Sequence, residues 1–219
     1  MPMRHFSRVL GAIVLVVAGC MAVLSGSANA APCGPSSPTT TDCTLTATAT
    51  LSAGTLTLAA PAALTWSATL NGNSQSLVDG TAAHQEYTVD DATGGALGWN
   101  VTASATTFTS GTDTLPDSGT FVTNGSLSSV TSTTGPSATC STTCTLPTNG
   151  TTYPVAITTA ATTPTPVKIY SAAAATGVGS IVIGGSTATN PVGWWVVVPG
   201  TAVPGTYTST VTLAIASGP

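Results

Sequence analysis

Threonine alternates with apolar side chains along much of this chain, and no other feature of the sequence constrains the fold more. Of the 219 residues, 45 are threonine. The alternation is clearest in residues 64–70 and in residues 206–215. Successive side chains of a β-strand point to opposite faces, so an alternating segment has one apolar and one polar face. Threonine is β-branched and hydroxylated, and it suits the wet face of a strand. The alternation therefore predicts a protein built from strands.

Strand-like segments recur along the whole chain. They are residues 45–51, 55–60, 64–70, 85–90, 97–104, 126–133, 153–157, 166–171, 178–183, 193–198 and 206–215. Asn-Gly, Asp-Gly and Pro-Gly pairs punctuate them and are typical of turns. About ten strands at this spacing predict an all-β fold, an antiparallel β-sandwich of the immunoglobulin-like or Greek-key type. A barrel is an alternative, as are two smaller sandwiches divided near residues 135–145. Only residues 172–175 suggest a helical turn.

Charged residues make up only 5% of the chain, against ~25% in a typical soluble domain. The three cations are Arg4, Arg8 and Lys168. Nucleic-acid binding requires clustered Lys and Arg, and no such cluster is present in the sequence. Phosphate-handling enzymes require Lys, Arg or a glycine loop with Lys, which the sequence also lacks. Recognition by this protein therefore depends on uncharged groups.

The N-terminal residues 1–30 have the pattern of an export signal. Two arginines precede an apolar stretch over residues 9–24, and residues 27–30 read Ser-Ala-Asn-Ala, a typical cleavage site. We expect cleavage before Ala31 and no transmembrane segment afterwards. The alternative is lipidation of Cys20, which ends a lipobox-like Val-Ala-Gly-Cys. After the signal, residues 31–43 form a Pro/Thr-rich leader, and residues 44–219 form the predicted β-sandwich domain.

Four cysteines remain after the predicted signal: Cys33, Cys43, Cys140 and Cys144. An even number in an exported chain indicates disulfides, for which three pairings are possible. Proximity favours Cys33 with Cys43 and Cys140 with Cys144. A thiolate metal site is disfavoured because Cys-x3-Cys has no second pair or histidine nearby.

Several blocks together resemble an exported actinobacterial group of WxL-domain proteins. Residues 91–94 followed by Gly98-Trp99-Asn100-Val101-Thr102 resemble the first half of a WxL domain. Further blocks lie in residues 144–149, 153–155, 167–179 and 198–219. Two departures stand out. Val101 replaces the leucine of the first motif, and residues 212–215 read Thr-Leu-Ala-Ile where a second Trp-x-Leu is expected.

The resemblance implies a β-sandwich surface protein that is held non-covalently on the cell wall through peptidoglycan and has no known enzymatic activity. It makes Trp99 and Val101 candidate contact residues. The sequence itself, apart from the resemblance, adds Trp194 and Trp195 to the candidate contact residues. Adjacent residues of a strand point to opposite faces, so one of this pair is expected to be exposed or buried against a second layer. We expect the outward tryptophan to contact a glycan or a partner.

Titratable side chains are too few to predict catalysis. His84, Glu86, Asp90 and Asp91 form the only cluster, and no nucleophile motif accompanies them. A calcium site built from the acids is the alternative to solvated loop acids.

Lys168 is a candidate for an intramolecular crosslink. By analogy with wall-associated sandwiches, it could form an isopeptide bond with an asparagine if it were buried. We predict a non-enzyme without a metal or cofactor.

The sequence as a whole predicts an exported cell-surface protein that associates non-covalently with peptidoglycan or a surface glycan in a structural or adhesive role. Other surface proteins are possible partners. The alternative is a secreted β-sandwich module that binds a carbohydrate or a protein without wall attachment.

Overall fold

The computed structural model of the protein describes residues 47–95, 97–185 and 189–219. Residues from Leu51 to Pro219 form one compact unit. The described residues contain thirteen strands and a single 3₁₀ turn at Ala82–His84, and the prediction of an all-β antiparallel fold is confirmed. The strands are β1 (Leu56–Ala59), β2 (Gln75–Val78), β3 (Glu86–Asp91), β4 (Trp99–Ala105), β5 (Thr109–Ser110), β6 (Asp113–Thr114), β7 (Phe121–Asn124), β8 (Ala138–Cys140), β9 (Val155–Ile157), β10 (Val167–Ala172), β11 (Gly179–Gly184), β12 (Gly193–Val198) and β13 (Val211–Ser217).

Three antiparallel sheets and one short hairpin contain these strands. Their orders are β1-β3-β11-β8, β10-β4-β13 and β2-β12-β7-β9, and the hairpin joins β5 to β6. Only β5 and β6 are consecutive along the chain as well as neighbours in a sheet. The alternative of two sandwiches divided near residues 135–145 is wrong, because β8 in that region pairs with β11 beside β3.

One hydrophobic core lies between the sheets. Val89 and Ile181 come from the first sheet, Val101 from the second, and Phe121 and Ile157 from the third, and all five are completely buried. Each of these residues belongs to the apolar set of its strand, while threonine and serine carry much of the other set. Burial of aliphatic and aromatic side chains at about 25 cal/mol per Å² is the main term that favours this fold.

Four aromatic rings form a continuous cluster within the core. Trp66 packs edge-on against Phe108 and Phe121, with ring centroids 6.0 and 5.9 Å apart. Phe121 in turn stacks on Trp194 at 5.8 Å. Such edge-to-face and stacked pairs contribute about 0.5–1.5 kcal/mol each beyond their buried area. Trp66 packs against the core through this cluster, although it is only partly buried.

Three predicted strands are wrong. In residues 64–70, Leu64, Trp66 and Leu70 are half-buried and the other residues are exposed, and the segment belongs to no sheet. The described part of segment 45–51 is fully exposed and unpaired. Residues 126–133 form turns, and the strand β7 lies before the Asn124-Gly125 pair instead of after it. Alternation reports which side chains are buried, and it does not reveal whether a neighbouring backbone is available for pairing. The helical turn at 172–175 is also absent: β10 includes Ala172, and a plain turn follows.

The predicted signal at residues 1–30, the leader at residues 31–43, Cys20 and the Cys33–Cys43 pair all lie outside the described residues. The second predicted disulfide is confirmed. Cys140 and Cys144 are bonded, with their Cα atoms 5.5 Å apart, and the bond joins the end of β8 to the turn that follows. Among the described residues, no helix is long and apolar enough to cross a bilayer.

Candidate functional site

Trp99, the first predicted contact residue, is completely buried at the start of β4. Its indole Nε1 donates a hydrogen bond to the carbonyl oxygen of Gly177 at 2.7 Å, and its ring stacks on Tyr170 with centroids 6.0 Å apart. Val101 is also completely buried. Both residues point into the core because they occupy alternate positions on one face of β4. The prediction that Trp99 and Val101 form an exposed contact surface is therefore wrong.

Trp194 and Trp195 point to opposite faces of β12, as predicted, yet both are buried. Trp194 belongs to the main core, and its Nε1 donates to the carbonyl oxygen of His84 at 3.0 Å. Trp195 lies outside that core and is only 4% exposed. Its Nε1 donates to the Ser126 carbonyl at 3.0 Å and approaches Asn124 Oδ1 at 3.3 Å. The loop after β7 thus covers the outer tryptophan, in agreement with the expected alternative of burial against a second layer, and neither indole is exposed for the contact expected of the outward one.

We predict that both tryptophans are required for stability. Trp194→Ala should lower the free energy of unfolding by about 3–5 kcal/mol, because it leaves a cavity in the core. Trp195→Ala should lower it by less, since that ring packs outside the main core. Urea denaturation followed by circular dichroism measures both effects. A Trp195→Ala protein as stable as the parent would contradict the packing of the outer ring.

The predicted titratable cluster is dispersed. Glu86 and Asp90 are exposed on β3, whereas Asp91 is buried and accepts hydrogen bonds from the Thr93 amide and hydroxyl. His84 instead bonds to Asp79, with Nδ1 and Oδ2 2.7 Å apart. In the described part of the chain, no group of three His, Cys, Asp or Glu side chains is placed to hold a metal ion.

Asp79 is the centre of the one buried polar cluster around these residues. It is completely buried, and its carboxylate accepts hydrogen bonds from the amides of Thr65 and Thr81, each at 2.8 Å, as well as facing His84. Burial acts to raise the pKa of Asp79, but the hydrogen bonds from Thr65, Thr81 and His84 outweigh it and lower that pKa below its usual value. The cluster is structural: it fixes Thr65, and with it the position of Trp66.

Buried tyrosines are equally structural. Burial raises the pKa of Tyr87 and Tyr170 above the usual value and raises that of Tyr153 to about 12. The Tyr153 hydroxyl donates to the Ile169 carbonyl at 2.6 Å and accepts from Asn149 at 3.0 Å. A phenol that stays neutral and bonded in this way ties segments together and does not act as a base at neutral pH.

Lys168 is exposed on β10. An isopeptide bond of the kind considered from the sequence needs a buried lysine, so the arrangement disfavours it. Asn100 donates through Nδ2 to the carbonyl oxygen of Gly218 at 2.7 Å.

An open groove beside Trp66 is a concave surface of a size that suits a ligand. We call it the Trp66 groove, and its cavity volume is about 640 Å³. It is lined by residues 66–70, Leu77, Phe108, Leu115, Val196, Val198 and residues 202–207. None of these side chains is charged. Aromatic rings and aliphatic side chains form most of the surface, and hydroxyls of serine and threonine lie among them.

Two segments outside the regular strands form the opposite walls of the Trp66 groove. On one side, Trp66 is held by a hydrogen bond of 3.0 Å from its Nε1 to the carbonyl oxygen of Trp194. On the other side, Tyr207 donates to the Val203 carbonyl at 3.0 Å and closes a turn that contains Pro204 and Gly205. The alternation in residues 64–70 is consistent with the half-buried position of Trp66, but no local signal indicated that residues 202–207 would line the same groove.

The Trp66 groove shares its central ring with a second groove. This edge groove, as we call it, has a cavity volume of about 620 Å³. Its walls are residues 60–66 on one side and residues 206–211 with Leu213 on the other, and Phe108 lines it too. It also contains no charged side chain. Both grooves therefore favour neutral occupants.

Comparison with known proteins identified no relative: no protein-family model, curated protein or solved structure matches this chain.

Proposed function

We propose that this protein is an exported, non-enzymatic cell-surface protein that associates non-covalently with the cell wall, and that the Trp66 groove binds an uncharged wall glycan. The observation that carries the proposal is a groove of about 640 Å³ that combines the aromatic rings of Trp66, Phe108 and Tyr207 with hydroxyl groups and has no charge. Sugar rings present C–H faces that pack on aromatic rings, and their hydroxyls bond to threonine and serine. The methyl groups of N-acetylated sugars suit the aliphatic part of the lining.

The placement of the first WxL-like block, and of the segment that stands where a second Trp-x-Leu is expected, supports the wall-association part of the proposal. Residues 99–101 lie in β4 and residues 212–215 in β13, and the two strands are direct neighbours in one sheet. In their register Ile215 pairs with Val101 and Leu213 with Ala103. Blocks that are more than a hundred residues apart in the sequence thus form one structural unit. In this proposal they form the framework, and the Trp66 groove forms the contact surface.

The alternative is a secreted module that binds a carbohydrate or protein with no attachment to the wall. The same groove would bind the ligand in that alternative, so the identity of the ligand distinguishes the two functions. Metal-bridged binding to anionic wall polymers is disfavoured because the groove contains no carboxylate to hold a bridging cation.

The proposal is tested with purified peptidoglycan in a sedimentation pull-down. Val203, which is 49% exposed at the groove, is replaced by aspartate. We expect Val203→Asp to weaken binding about tenfold or more, because the sugar would have to desolvate a charge. Leu146 is a matched control, since it is 52% exposed and does not line the groove. Leu146→Asp should bind like the parent.

Two further arms complete this test. Binding should persist in high salt and in the presence of a chelator, because aromatic packing and hydrogen bonds need neither charge nor metal. Loss of binding with the chelator would contradict the glycan-groove proposal in favour of metal bridging. No sedimentation of the parent protein under any condition would overturn wall association in favour of the secreted module.

A further inference from the structure

One edge of β13 belongs to no ladder in the described residues. Within them, β13 pairs only with β4, and β1 lies close to β13 without pairing with it. The residues that lead into it continue the same pairing, since Thr208 exchanges both backbone hydrogen bonds with Thr109, and the Thr210 carbonyl accepts from the Thr106 amide. Backbone groups of successive strand residues point to alternate edges. The odd-numbered residues from 207 to 215 therefore direct their N–H and C=O groups away from β4.

This free edge forms one wall of the edge groove. The groove is also lined by residues 60–66, which follow the end of β1 at Ala59, bend at Ala62 and join no sheet. The fold thus leaves a seam between the unpaired edge of residues 206–213 and this irregular segment, with the rings of Trp66 and Phe108 lining it. Exposed strand edges are usually protected by charges or proline. The β13 side of the seam, residues 206–213, has neither apart from the neighbouring Pro204.

The same chain carries a segment of matching chemistry. Residues 44–51 read Thr-Leu-Thr-Ala-Thr-Ala-Thr-Leu, a strict alternation with no charge. Its described part, residues 47–51, is exposed throughout and joins no strand, and Leu51 is 94% exposed. An uncharged alternating strand would pack small apolar side chains on the aromatic rings and present threonine to solvent. Its backbone would supply partners for the free edge.

The groove and the chain that leads into β1 lie at different ends of that strand. Gly54 donates from its amide to the Ala92 carbonyl at 2.8 Å, which holds the chain just before Leu56 at the Asp91 end of β3. The edge groove begins only after Ala59, at the other end of β1. This placement favours a strand donated by a different molecule.

We propose that residues 45–51 of a second copy of this chain insert as a strand into the edge groove and link copies into a chain. The contact joins two different surfaces, so a linked pair still has one free groove on one copy and one free strand on the other. Such head-to-tail contacts extend into open assemblies unless the geometry closes them into a ring. The assembly would form without any wall glycan, so it is independent of the proposed function and is measured in the absence of wall material.

The first test compares variants of the exported protein by sedimentation velocity over a range of concentrations. The parent should form a series of species larger than a dimer. Ala49→Pro, which removes a backbone donor from the exposed segment, should sediment as a monomer, and Ala49→Val should assemble as the parent does. Both changes lie in exposed positions, so the folded domain is unaffected. A parent protein that is monomeric at every concentration would overturn the proposal.

The second test places charge in the groove and adds a peptide. Ala62 is exposed in the groove wall, and Ala62→Glu should weaken assembly about tenfold or more, because insertion would bury an unpaired charge. Ala216→Glu, on an exposed position of β13 outside the groove, is the control. A synthetic peptide of residues 44–52 should disperse the assembly, and a scrambled peptide should not. Equal assembly of both glutamate variants would overturn the assignment to this groove.

Discussion

Replacing Gly98 with alanine should lower the free energy of unfolding by about 3–5 kcal/mol, among the largest effects expected of any single methyl group in this protein. Gly98 has φ +73, in the left-handed region that favours glycine. A Cβ atom there would overlap the backbone carbonyl oxygen of Ala172 and lie 2.8 Å from that of Ala173. Backbone atoms of β10 and its turn cannot move aside without disturbing the ladder with β4.

Gly111 provides the matched control for this substitution. Its φ is also positive, at +61, but a Cβ atom there would meet nothing within 4 Å. Gly111→Ala should therefore cost only about 1 kcal/mol, which isolates the backbone strain from the steric overlap. Urea denaturation of the two variants measures the difference. Equal losses would contradict the close contact between Gly98 and the Ala172 carbonyl.

The same geometry explains the Gly-Trp pair of the WxL-like block. Gly98 permits the backbone to approach β10 closely, and Trp99 then enters the core and bonds to the Gly177 carbonyl. Gly177 has a matching requirement, since a Cβ atom there would lie 2.7 Å from the Trp99 Nε1. Gly98 and Trp99 thus have a packing role, and the stability of Gly98 and Trp99 variants should be measured before their binding is compared.

Replacing Asp79 with alanine should lower the free energy of unfolding by about 3–5 kcal/mol at neutral pH. The carboxylate is completely buried, and its loss leaves the amides of Thr65 and Thr81 without their acceptor. Asp79→Asn should cost less than alanine but remain unfavourable, because an amide offers one acceptor oxygen to three donors. Asp90, exposed on β3, is the control, and Asp90→Asn should change stability by less than about 0.5 kcal/mol.

The pH dependence of the Asp79 contribution has a definite sign. Its pKa in the folded protein lies below the usual 3.8, so folding favours the charged form. The stabilisation is therefore fully present above pH ~4 and is lost as the pH falls through the lower, folded value. The gap in melting temperature between the parent and Asp79→Asn should be widest near neutral pH and narrow below about pH 4. A gap that is constant with pH would contradict the assignment.

The consequences of losing Asp79 extend to both grooves. Thr65, which the carboxylate holds, directly precedes the ring that lines each groove. A variant that remains folded in mild conditions should still bind peptidoglycan more weakly. That result would connect the buried cluster to the position of Trp66 without giving Asp79 any contact with the ligand.

Parts of the fold could be predicted from short-range pattern alone. Alternation placed β10, β11 and β12 within a residue or two of their observed bounds, and the spacing of Cys140 and Cys144 identified their disulfide. The opposed directions of Trp194 and Trp195 followed from the strand period of two. The burial of both indoles did not follow, because the loop that covers Trp195 comes from residues about seventy positions earlier in the sequence.

The sequence by itself determined that this is an all-β protein with few charges and with threonine on its polar strand faces, because side-chain period and charge are local properties. Only the tertiary structure decided which strands are neighbours, since all pairings except β5–β6 join segments that are not consecutive. It also decided that the predicted contact tryptophans are buried and that Trp66 lines a groove. The exposure of a side chain depends on which other segments cover it, and a local sequence pattern does not show whether a loop distant in the sequence packs over it.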